Sequence, residues 1–241
     1  MNSPFPSTSP QEEVSNISTS FKVSSANWRR WPTHRIGETF YARGSIKNGE
    51  EQVQRAVCFG LVEKDFQELQ KLQNWTELRI HLSCRKLPNK LTEVEQTPVF
   101  SPYLEAYPEK DQVFPLSWIP IEPPNNAPIA RQTADLFCHE FCLLEQTAIG
   151  ACFEAPIGPG FFRVNHFRFQ QDEEKNNLKK AVSESSSLKL FLGVSAPIIG
   201  HPFRIRPILN FKVDLGGVFP PSSNGENCNF EFSQPCPPAC G

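Results

Sequence analysis

The chain has no apolar run near the ~18 residues that a bilayer-crossing helix needs, and its first residues lack the basic and apolar regions of a secretory signal. No membrane partner is expected, and the sequence predicts a soluble, cytoplasmic protein. Net charge is also small, at −2, so the molecule as a whole carries no footprint for nucleic acid or anionic lipid. Catalytic signatures are missing as well. There is no G-x-S-x-G elbow, no phosphate-binding P-loop and no G-x-G-x-x-G. His139-Glu140 opens like the zinc-protease H-E-x-x-H motif, but position 143 is Leu and the second ligand is absent. No cofactor is expected.

Cysteine is plentiful by contrast. Eight residues form an even count, yet 241 residues with 39% hydrophobic content need no disulfides to hold a core. They are expected to be thiols in a reducing compartment. One Met stands beside 20 Phe, and the phenylalanines supply the core.

The strongest periodicity lies at 130–152. Ala134, Phe137, Cys138, Phe141, Leu144, Ala148 and Cys152 recur at steps of three and four, which predicts one long helix stopped by Pro156, Gly158, Pro159 and Gly160. Glu145 breaks the pattern at the edge of the apolar face, where a carboxylate needs a partner. A shorter helix is expected at 63–75, from Phe66, Leu69 and Leu72. Strand patterns occupy 53–62, 77–85, 161–169, 187–195 and 202–214. The fold class that follows is α+β, an antiparallel or mixed sheet packed on the 130–152 helix with the 63–75 helix beside it.

Around that single domain (28–215), residues 1–27 read as a disordered arm and 216–241 as an irregular Gly/Pro-rich tail. Residues 97–128 are proline-punctuated but remain apolar. Such a stretch is expected to be a packed excursion or a docking surface, with Trp118 inserting into a groove.

Three constellations invite chemistry, and each has a plainer explanation. Trp28, Arg29, Arg30, Trp31 and Arg35 interleave guanidinium groups with rings, as do Arg204 and Arg206 beside Phe203. Single-stranded nucleic acid is bound by such surfaces, though tryptophans docked on a core beneath solvated arginines give the same pattern. Cys138 and Cys142 lie one helical turn apart and can share a metal, but structural zinc wants four ligands. Buried cysteines acting as small hydrophobes account for them equally. Glu145 and His166 would make a carboxylate–imidazole pair for acid–base hydrolysis if a strand crosses the helix; a structural hydrogen bond would look identical. With no intact catalytic motif, the expectation is a non-catalytic interaction or assembly subunit whose partner is another protein. RNA or single-stranded DNA binding comes second, and a Glu/His hydrolase third.

Overall fold

The structure, a computed structural model, describes residues 10–47, 50–85, 98–108, 112–119, 132–157, 159–171, 178–196, 203–213, 227–230 and 234–236. Helix α1 (Pro10–Arg30) leads into a 3-10 helix (Thr33–Phe40) and the hairpin β1 (Tyr41–Lys47) and β2 (Glu50–Arg55). Then come β3 (Cys58–Leu61), α2 (Glu63–Lys71), β4 (Glu77–His81), β5 (Cys84–Arg85), β6 (Val99–Phe100), β7 (Tyr103–Tyr107) and β8 (Val113–Trp118). The second half holds α3 (Gln132–Leu143), α4 (Gln146–Cys152), β9 (Glu154–Ile157), β10 (Gly160–Arg163), β11 (His166–Gln170) and α5 (Leu178–Glu184). The chain closes with β12 (Ser185–Val194), β13 (Ile205–Val213), β14 (Asn227–Phe230) and β15 (Gln234–Cys236).

The α+β class holds. Nine strands form one sheet in the order β14-β13-β12-β3-β8-β7-β4-β11-β15, and every pairing is antiparallel. Its two edge strands, β14 and β15, are only four peptide steps apart in sequence. A fully extended chain covers at most about 14 Å in four steps, so the two edges of the sheet must lie close together. The sheet is therefore curled into a nearly closed barrel, as accumulated strand twist favours. Leu190 and Leu209 from one side and Ile80 and Phe167 from the other accordingly share one hydrophobic cluster. That barrel, rather than one long helix, organises the chain.

The expected 130–152 helix is two helices. It breaks at Leu144–Glu145, where Glu145 takes an extended conformation as the N-cap of α4. Arg55 supplies a physical reason. Its guanidinium donates to the carbonyls of Phe141 (2.7 Å), Cys142 (2.8 Å) and Leu144 (2.5 Å), satisfying the last turn of α3 from outside. Glu145 interrupts the apolar periodicity because it sits at the break, exposed. The helix expected at 63–75 ends at Lys71, and Trp75 beyond it turns into the core.

The arm expected at 1–27 is corrected over its described part, because Pro10–Arg30 is helical; residues 1–9 lie outside the described residues. The polar composition conceals a narrow stripe. Phe21, Ser24 and Trp28 recur at steps of three and four, and Trp28 is fully buried, its indole N–H donating to the Val164 carbonyl at 2.9 Å. Phe100 and Phe153 meet it edge-on.

The Pro-rich 97–128 stretch is likewise a core component where described. It contributes β6, β7 and β8, with Tyr103, Leu104, Phe114 and Leu116 buried. Of the irregular tail, residues 227–230 and 234–236 form the sheet's edge strands.

Two crossings bring helical backbones into direct contact. A Cβ on Gly37 of the 3-10 helix would lie 1.8 Å from the Gln146 carbonyl oxygen of α4, and one on Gly150 of α4 would lie 1.9 Å from the Thr33 oxygen. On β12, Gly193 takes α3 in the same way, a Cβ there falling 2.7 Å from the Phe137 Cβ. Glycine is required at these places by space, since any side chain would part the elements.

Candidate functional site

Two of the arginines that suggested a nucleic-acid face, Arg35 and Arg206, are engaged within the fold, as is Arg163. Arg163 on β10 donates to Glu154 Oε1 (3.0 and 2.8 Å), to Thr33 Oγ1 (2.7 Å), and to the Trp28 (2.9 Å) and Trp31 (2.6 Å) carbonyls at the end of α1. A guanidinium there both satisfies open carbonyls and complements the helix dipole. Arg206 is buried and links residues that follow β12 to those that precede β13, donating to Ser195 Oγ (2.7 Å) and to the Phe203 (2.9 Å) and Ala196 (3.1 Å) carbonyls. Arg35 pairs with Glu38 at 3.1 Å and stacks on the Trp31 ring, whose N–H donates to the Arg35 carbonyl. Trp28 is core, and Trp118 is half-buried against it. Arg29 and Arg30, adjacent in the last turn of α1, and Arg204, just before β13, are exposed.

Glu145 lies exposed at the N-cap of α4, and His166 lies on β11. The groups acting electrostatically on His166 are His81, Arg79, Glu105 and Arg168, and Glu145 is not among them. Cys138 is half-buried and Cys142 exposed on α3, and burial pushes the Cys142 thiol up, against the pull of Arg55. Among the described residues no three His, Cys, Asp or Glu side chains form a group able to hold a metal ion.

His166 belongs to a polar patch that strand pairing assembles. Leu78, Ile80, Leu104, Ala106, Phe167 and Phe169 point into the barrel, which leaves the alternate positions of β4, β7 and β11 on its outer side. Register then lines up Tyr103–His81–His166 in one row and Glu105–Arg79–Arg168 in the next. His81 Nε2 lies 2.7 Å from Glu105 Oε2, and the two imidazoles are 5.1 Å apart. Glu77 joins Arg168 (2.8 Å) to Arg79, whose guanidinium lies 3.3 Å over the Tyr107 ring. Burial alone would raise the Glu105 carboxyl, but the hydrogen bond and charge of His81, with Arg79 and His166, hold it below the ordinary carboxylate value. His81, on the polar side of its strand, is held in this network.

The ribbon of β9 and β10 is built differently. It lies outside the nine-stranded sheet, and its base is pinned by Arg163 and Glu154. Near its turn, Phe161 is 79% exposed and faces Pro156 across the pair. Leu143 (65%), Val23 (56%) and Leu136 (54%) follow it in exposure among the described residues, and Leu136 and Leu143 lie seven residues apart on one face of α3. Sequence periodicity did not single out Phe161, His81, Glu105 or Phe21. The alternation of β4 places His81 beside Arg79, but its partners come from strands distant in sequence.

No family model, no curated protein and no solved structure matches the chain.

Proposed function

We propose that this chain is a non-catalytic interaction or assembly subunit that binds another protein through apolar side chains its own fold leaves in water. The observation that carries this reading is Phe161. A phenylalanine 79% exposed near the tip of a ribbon whose base is locked by a half-buried ion pair is an anchor without a pocket. An exposed aromatic costs hydration, and a rigid base lowers the entropy lost when a partner closes over it. Leu136 and Leu143 extend the same character to α3. Meanwhile Arg163, Arg168 and Arg206, which a nucleic acid would need, are held by internal acceptors. Cys58, Cys84, Cys138, Cys142 and Cys152 are free thiols, in keeping with a reducing, cytoplasmic location.

The test is native mass spectrometry of the protein from its own cells in mild salt, with Phe161→Asp alongside. The wild-type chain should run as a heavier species containing added protein subunits, and Phe161→Asp should lose them while keeping its urea midpoint. A bare 27.3 kDa chain would overturn the reading. So would a heavier species that keeps its protein subunits in the variant. A nucleic-acid mass on the wild type would shift the assignment to the exposed Arg29 and Arg30.

A further inference from the structure

The outer patch on β4, β7 and β11 holds a charge balance that one extra proton upsets. Arg79 and Arg168 face Glu77 and Glu105, and His81 shares Glu105 at 2.7 Å. His166 sits 5.1 Å from His81, and no carboxylate among the described residues bonds it. Helix α1 rests on this patch. The Phe21 ring meets His81 edge-on at 4.9 Å and Tyr103 at 5.3 Å, and Ser20 Oγ lies 3.4 Å from the Tyr103 hydroxyl. A few residues on, the same helix is held by different means. Trp28 is buried in the core, and Asn27 Nδ2 donates to the Cys84 carbonyl at 3.2 Å.

We propose that His166 triggers an acid-operated latch: a proton on its imidazole, set beside His81, Arg79 and Arg168, releases the stretch of α1 around Phe21 while the Trp28 end stays docked. With Glu105 already committed to His81, a charge on His166 meets His81, Arg79 and Arg168 with no free anion to offset it. Glu77 cannot supply one, being engaged by both arginines. From α1 the pair receives the uncharged Phe21 and Ser20, Lys22 being exposed, and β15 runs beside His166 through backbone pairing. Burial, then His81, Arg79 and Arg168, push the His166 imidazole down to about 4, with Glu105 opposing. Release returns water to the patch and moves that group back toward its ordinary 6.5. Linkage then favours the open form by at most roughly 30-fold at pH 5 relative to pH 7.5.

Hydrogen exchange of the full chain at pH 7.5 and 5.0, corrected for intrinsic rates, tests the latch. Amides 20–25 should open roughly 10- to 30-fold more often at pH 5, with amides 26–30 and β12 unchanged. His166→Gln and His166→Asn keep a polar side chain that cannot charge, and both should lose the response. The latch is refuted if 20–25 stay protected at pH 5, if all peptides open together, or if either variant responds as wild type does. Should both variants fail to fold, NMR titration of the wild-type His166 imidazole decides. A midpoint below 5 supports the latch, and one near 6.5 overturns it.

Discussion

Replacing Gly150 with alanine separates what local propensity predicts from what the tertiary contact demands. Gly150 lies inside α4, where alanine is the better helix former by about 1 kcal/mol. Propensity alone therefore predicts a more stable protein. The new Cβ would fall 1.9 Å from the Thr33 carbonyl oxygen and 2.9 Å from its carbon. Both are backbone atoms, so no rotamer change relieves the contact, and α4 must move away from the 3-10 helix by roughly 1 Å. That movement loosens Ile36, Phe40, Ile149 and Phe153, all fully buried. Overpacking of this kind costs about 1–3 kcal/mol or more, and the shared backbone contact puts it at the upper end. After the propensity gain the net loss is about 2 kcal/mol, or a fall in Tm of about 4–8 °C for a chain of this size. Urea and thermal melts of Gly150→Ala, Gly37→Ala and the double variant measure it. The double should cost less than the two singles together, because both relieve their clash by the same separation. A Gly150→Ala protein as stable as wild type would refute the contact.

Stability should also fall in acid. The folded pKa of His166 is depressed to about 4 from 6.5, so between those values the unfolded chain binds the proton that the folded one refuses. The loss begins as pH drops through 6.5 and approaches about 3 kcal/mol near pH 4, with the lowered Glu105 adding to it below 4.5. Urea midpoints from pH 7.5 to 4 should show this decline, and in His166→Gln only the acidic part should remain. Arg55→Ala should cost about 2–3 kcal/mol, since three carbonyls at the end of α3 lose a charged donor. Arg55→Lys should restore only part of that, because an ammonium cannot fork across them; chemical denaturation followed by far-UV circular dichroism gives both values.

Much of the core was legible because strand alternation is a local signal. Leu78 and Ile80 in β4, and Leu188, Leu190, Leu192 and Val194 in β12, face inward as their spacing predicts. The Cys138/Cys142 spacing was equally plain, yet spacing on one helix does not bring further ligands to it. The polar patch was less accessible. His81, Glu105 and His166 meet only because β4 pairs with both β7 and β11, and those strands come from well-separated parts of the chain. The α1 helix was hidden for another reason. Its docking depends on a stripe of a few residues ending in Trp28, too narrow to lift the polar composition around it.

Composition and periodicity by themselves determined the α+β class, the aromatic core and the inward faces of the strands, since each depends on neighbours a few residues apart. Tertiary structure decided the closure of the sheet, the split at Glu145 and the fate of the arginines. A guanidinium reads the same in sequence whether it faces water, a phosphate or an open helix end. Only the fold brought the carbonyls of Trp28, Trp31, Phe141 and Leu144 within reach of Arg163 and Arg55, and buried acceptors must be satisfied once water is excluded.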